Sequence, residues 1–206
     1  MRRINLKSCL SLGLVCLALA SSGCISIPNS PTPRFYALSA LDESQSSKKV
    51  NMASGVIIGI GPVKIPEYQD RPQMVTLSKE KMIQLAQFDR WGESLDLGVA
   101  RLIREDLTGM LPKATLTLYP WNPSMAVKYQ VVVEVVQLDS HLDGDMFLVA
   151  QWMIIDVQNS KVVIIKRSAF RQPIIPQNYS GLAQTLSGAC ASLSKQIAEA
   201  LRSIPA

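Results

Sequence analysis

The chain has 206 residues, with 21 basic against 16 acidic side chains, a formal charge of +5 and a pI near 9.1. Three of the basic residues (Arg2, Arg3 and Lys7) lie in the first 23 positions, which hold no acidic residue, so the remainder carries 18 basic against 16 acidic, or +2. With that near balance, and with no run of Lys and Arg interleaved with aromatics, the charge argues against a nucleic-acid partner.

Residues 1–23 read as an export signal. The basic start is followed by a mostly apolar run from Cys9 to Ala20 and then by small residues, Leu19-Ala20-Ser21-Ser22-Gly23-Cys24. That order of basic, apolar and small segments is a secretory signal peptide. The apolar run is too short for a spanning helix, which needs about 20 residues. Small residues directly before a cysteine resemble the lipobox of bacterial lipoproteins, although Ser21 stands where that family prefers Leu. The resemblance implies cleavage before Cys24, acylation of its thiol and acylation of the new N-terminus. The alternative is an ordinary signal peptide cut near Ala20 or Gly23, leaving a soluble periplasmic protein. Removing the signal also discards Cys9 and Cys16, and lipid would consume Cys24, so Cys190 is left alone. One thiol forms no intramolecular disulfide, and its helical apolar spacing reads as a small buried hydrophobe.

Residues 24–33 read as the lipidated cysteine and a tether, because Pro28, Pro31 and Pro33 remove amide donors and favour extended backbone. A single domain is expected over 34–206. Its first strand is Arg34 to Leu38, followed by a polar loop over 42–54. Val56 to Ile60 reads as a buried strand, punctuated by Gly61-Pro62 and extended by Val63 to Ile65. Met74 to Leu77 and Met82 to Ala86 read as short strands around a turn at Ser78 to Lys81. From Glu93 to Leu111 the apolar residues Leu95, Val99, Leu102, Ile103, Leu107 and Met110 fall at steps of three and four, which predicts a helix stopped by Pro112. Ala114 to Tyr119 is a short strand. Tyr129 to Leu138, Met146 to Val157 and Lys161 to Gln172 predict an antiparallel meander turned at Asp143-Gly144 and Asn159-Ser160, where Gly and Asn tolerate positive φ. A second amphipathic helix covers about Ser180 to Ser203. The whole predicts an α+β domain, a mostly antiparallel sheet with two amphipathic helices packed on one face. Both faces of the long strands are more apolar than one solvated face requires, so a ligand, a subunit or the first strands should cover the second face.

Candidate chemistry is sparse. The single histidine, His141, lies in Asp139-Ser140-His141-Leu142-Asp143-Gly144-Asp145, and these residues suit a solvated hairpin tip better than a metal site, which needs three or four ligands. Gly59 and Gly61 do not begin a phosphate loop, since Pro62 follows where a helix should open. No Gly-x-Ser-x-Gly elbow exists, and one His without a cysteine partner supports neither a serine triad nor a cysteine–histidine pair. No enzyme activity, cofactor or metal is expected.

Several segments in order resemble the auxiliary lipoprotein family of ABC-type transporters, of the paraquat-inducible protein C type. They are Pro31-Thr32-Pro33-Arg34-Phe35-Tyr36-Ala37-Leu38, Gly61-Pro62-Val63-Lys64-Ile65-Pro66-Glu67-Tyr68, Asp70-Arg71-Pro72-Gln73-Met74-Val75 and Asp89-Arg90-Trp91-Gly92-Glu93-Ser94-Leu95. The strands around Trp152 and the terminal Leu193-Ser194-Lys195-Gln196-Ile197 complete the pattern; Gly92 departs from it, where Ala or another small residue is expected. The resemblance implies a non-catalytic lipoprotein of an intermembrane lipid transport system in a Gram-negative envelope. Its partners would be inner-membrane transport subunits and a substrate-binding protein of the mammalian-cell-entry (MCE) type, and it is expected to form homo-oligomers. The expected address is the periplasmic face of the outer membrane, consistent with Ile25 following the cysteine in place of an inner-membrane-retaining Asp. The alternative function is a stand-alone structural lipoprotein that binds another envelope protein or the cell wall.

Overall fold

The computed structural model describes residues 31–40 and 55–204. The signal, Cys24, most of the tether and the polar loop at 42–54 lie outside the described residues. In chain order the elements are β1 (Arg34–Tyr36), β2 (Ile57–Lys64), a 3-10 turn (Glu67–Gln69), β3 (Gln73–Leu77), β4 (Ile83–Trp91), α1 (Leu95–Met110), β5 (Thr115–Leu118), β6 (Val127–Ser140), β7 (Asp145–Asp156), β8 (Lys161–Pro173) and α2 (Tyr179–Ser203). This is the expected α+β arrangement.

The strands divide into a five-stranded sheet ordered β5-β2-β6-β7-β8 and a three-stranded sheet ordered β1-β4-β3. The meander β6-β7-β8 is antiparallel, as the two turn sequences required, and so is β3-β4. Three pairings are parallel: β1 with β4, and β2 with both β5 and β6.

Alternation decides which side of the large sheet is buried. Val131, Val133 and Val135 of β6 align with Ile154, Trp152 and Ala150 of β7, and all six are buried. Leu102, Ile103 and Leu107 of α1 and Leu186, Ala189, Cys190, Leu193 and Ile197 of α2 join them, with Ile58 and Ile60 of β2, in one core. A fully buried Leu, Ile or Val side chain contributes roughly 1.5–3 kcal/mol, so this inner layer dominates folding. Trp152, the largest fully buried side chain, also has its polar atom satisfied. Its indole N–H donates to Ser168 Oγ at 2.9 Å, and that hydroxyl donates onward to Gln196 Oε1 on α2.

Local chemistry sets the boundaries. Pro112 follows the end of α1. At the start of α2 the Asn178 Oδ1 accepts the Gly181 N–H at 2.9 Å, which is N-capping. Gly181 is required there, because a Cβ would lie 1.8 Å from the Pro176 carbonyl oxygen.

The expected extension past Gly61-Pro62 holds: β2 runs to Lys64 with a register shift between Ile60 and Val63, and Gly61 takes φ +106°. Three expectations are refined. Strand β4 continues to Trp91 instead of stopping at Ala86; it pairs with β3 from Ile83 to Arg90, across a register shift, and its last three residues pair also with β1. Trp91 therefore ends a strand. At the β7–β8 turn the positive φ falls on Ser160 (49°), while Asp156 accepts the Asn159 N–H at 3.0 Å. Strand β1 is three residues long, with Ala37 and Leu38 outside it.

Candidate functional site: an anchored strand and an open sheet face

The described residues begin at Pro31, three residues before β1, and β1 is held by a dense set of polar contacts. Its three residues pair in parallel with the end of β4, Arg34 opposite Asp89, Phe35 opposite Arg90 and Tyr36 opposite Trp91. That register sets the Arg34 guanidinium beside the Asp89 carboxylate, with Nε to Oδ1 and Nη2 to Oδ2 both 2.8 Å. The Tyr36 hydroxyl donates a third hydrogen bond to Oδ1, also at 2.8 Å. Such a bidentate fork fixes geometry as well as charge. Asp89 is 3% exposed. Burial alone would raise its carboxyl, but the hydrogen bonds from Arg34 and Tyr36 and the Arg34 charge outweigh it and hold it below the ordinary value.

The segment after β1 is pinned as well. Gly92 N–H donates to the Tyr36 carbonyl at 2.7 Å, and Arg101 Nη2 of α1 donates to the Leu38 carbonyl at 2.9 Å. Arg101 is itself held by Glu93 (2.6 Å) and by Glu105 one helical turn on (3.0 Å). Ser39 N–H donates to Ser187 Oγ of α2 at 3.2 Å, and the Leu38 side chain is buried in the core. The strand next to the tether is thus fastened to β4, α1 and α2 within six residues. At Gly92 a Cβ would stand 3.4 Å from the Tyr36 carbonyl oxygen, so the small residue expected there fits by size.

The second feature is the outer face of β6-β7-β8, opposite the helices. Val132, Met153 and Ile165 form one cross-strand row, and Gln130, Ile155 and Val162 another. Ile165 is 61% exposed, and Val136 and Val162 are also exposed. Next to the Val132 row, on the side away from the Gln130 row, runs a polar one, Glu134-Gln151-Arg167. Beyond β6 the face is closed: Trp121 lies over Gly59 of β2, where any Cβ would stand 2.3 Å from its ring, and Tyr119 meets Trp121 edge to face at 5.6 Å. The sequence indicated an apolar second face, and the structure places it on the meander, largely uncovered.

His141 sits in the four-residue turn between β6 and β7, its N–H donating to the Asp145 carbonyl at 3.0 Å, as expected of a hairpin tip. The neighbouring Asp143 pairs with Lys79 of the β3–β4 hairpin at 3.2 Å. Cys190 is buried on α2, and burial, with Asp106 adding to it, pushes its thiol up to about 12, so it stays a protonated, unreactive side chain. Tyr68 bridges to β6: burial pushes its hydroxyl up to about 12, and it donates to Asp139 Oδ1 at 2.9 Å. A cavity of about 320 Å³ between the start of β8 and the end of α2 is lined by Lys161, Val162, Val163, Ile164, Ser203 and Ile204. Its one titratable side chain makes no acid–base pair. Cys24 lies outside the described residues, so the structure leaves that position where the sequence put it.

A firmly seated first strand, two helices behind a sheet and an open apolar face make up a domain of the α+β class. The chain belongs to the family of the ABC-type transport auxiliary lipoprotein component, whose model matches residues 36–198. The matched residues take in both Tyr36 and Asp89 of the clasp. The family is one of envelope lipoproteins attached to ABC transport. No curated protein matches the chain. Among the crystal structures that share the fold are two with TM-scores above 0.6. One is of an uncharacterized protein, with TM-score 0.67, 16% identity, and 83% of this chain and 99% of that chain covered. The other is of a protein from Xanthomonas campestris, with TM-score 0.64, 10% identity, and 82% and 95% covered. Among the described residues no helix is long and apolar enough to cross a membrane.

Proposed function

We propose that this protein is a non-catalytic lipoprotein, acylated at Cys24 and held on the periplasmic face of the outer membrane. There it tethers the far end of an MCE-type periplasmic tube in an ABC-type lipid transport system. In this reading residues 1–23 are the signal, 24–33 the lipidated cysteine and tether, and 34–206 the binding domain, which self-associates. The observation that carries the reading is the fastening of β1 directly after the tether. A domain held by lipid at one end and by a partner at the other transmits load through that strand, and the Arg34–Asp89 and Arg101–Leu38 contacts sit where the load enters. Family membership supplies the transport setting, and the open apolar face supplies a surface for binding.

Lipid makes the anchor durable. One acyl chain gives only marginal membrane binding, while two or more hold a protein in place, at roughly 0.8 kcal/mol per buried CH₂. The direct test is co-purification of the full chain with an MCE-domain protein from gently solubilised envelopes. The reading predicts a stable complex. Recovery of the chain alone, still in membranes, would overturn the transport role and favour a stand-alone structural lipoprotein.

A further inference from the structure

The polar row on the open face is arranged with its charges apart: Glu134 on β6, neutral Gln151 on β7 and Arg167 on β8 are cross-strand neighbours. Neither Glu134 nor Arg167 has an ion-pair partner among the described residues. The next polar row has the same polarity, Asp139 on β6, Phe147 on β7 and Arg171 on β8. There Asp139 already accepts from Tyr68 and Gln137, while Arg171 donates to Asp145 at 2.6 Å and lies over the Phe147 ring. Acid therefore lines one side of β7 and base the other.

We infer that this face binds a second copy of the same chain, sheet against sheet, with the two-fold axis running along β7. The inference deepens the self-association part of the proposed function and rests on it. Rotation about β7 keeps every row at its own level and exchanges β6 with β8. Glu134 then meets Arg167 of the second copy, Val132 meets Ile165 of the second copy, and Gln151 and Met153 meet their own equivalents. An axis in the sheet plane but across the strands would set Glu134 on Glu134 and Arg167 on Arg167. The charge pattern selects the first arrangement, an isologous pair. Lys64, beside Glu134 on β2, falls outside the edge of the facing β8. Packed sheets of this kind lie about 10 Å apart with strands within about 30° of each other. Three strands at about 4.8 Å spacing and about ten residues long present roughly 450 Å² per copy. That is roughly 900 Å² in the pair, below the about 1,200 Å² at which stable specific interfaces begin, so the pairing is weak and relies on membrane confinement.

The test uses the full chain in its own membrane. Gln151→Cys places a thiol on the axis, while Leu97→Cys, exposed on α1, serves as control; buried Cys190 does not compete. A short bis-maleimide is expected to give a dimer-sized product from Gln151→Cys and none from Leu97→Cys. Adding Glu134→Arg or Arg167→Glu alone creates two like-charge contacts and should lower that yield on the order of tenfold, with recovery when both are present. Indifference to the charge exchanges overturns the pairing. So does cross-linking of Gln151→Cys only to another protein. If the wild-type chain still sediments as an oligomer while Gln151→Cys stays silent, this interface fails but self-association stands. If it sediments as a monomer at every concentration, both fail.

Discussion

Asp89 is an almost fully enclosed carboxylate whose three side-chain hydrogen bonds all come from β1, two from Arg34 and one from Tyr36. Its charge is stabilised in the folded state, so its carboxyl titrates below the unfolded value of about 4. A depressed carboxyl contributes stability that is fully present above the unfolded pKa and is lost as pH falls through the folded one. Asp89→Asn keeps the size and removes the charge. It is expected to lower the melting temperature at pH 7, with the gap to wild type closing as pH falls below about 4. Thermal melts across pH check this; a gap of equal size at low pH would show that the charge is not what holds β1. The roles of these residues were not visible in the sequence. Arg34 and Asp89 each stood in a recognisable segment, but they are 55 positions apart and no local rule joins them.

Elements with strong local periodicity were legible. Both helices fall within two residues of the spans that their apolar steps predicted, and β6, β7 and β8 follow from alternation and turn chemistry. The end of β4 was not, because Gln87, Asp89 and Arg90 break the apolar alternation and the strand owes its continuation to pairing with β1 on one side and with Gln73 of β3 on the other. The parallel pairings of β2 were hidden for a related reason: they join segments separated by a helix, and periodicity carries no information on distant partners. The flank of the open face is a further point of tension. Gly59→Ala would set a Cβ within 2.3 Å of the Trp121 ring, and overpacking of this kind costs about 1–3 kcal/mol unless the ring swings away. Since Trp91 and Trp152 are buried, a red shift in tryptophan fluorescence of Gly59→Ala would report Trp121 entering solvent. An unshifted spectrum with unchanged stability would mean that Trp121 does not seal that flank.

At the scale of the whole molecule, family membership gives a transport auxiliary lipoprotein, and among the described residues no helix is long and apolar enough to cross a membrane. The contacts that hold β1 are seen in the structure, whereas the proposed lipid at Cys24 would govern where the protein works. The most direct measurement is palmitate labelling of cells that carry wild-type or Cys24→Ser protein, followed by separation of soluble, inner-membrane and outer-membrane fractions. The account predicts labelled wild-type protein in the outer membrane and unlabelled Cys24→Ser protein displaced from it, either uncleaved or soluble. Equal labelling and an unchanged distribution of the two proteins would contradict it.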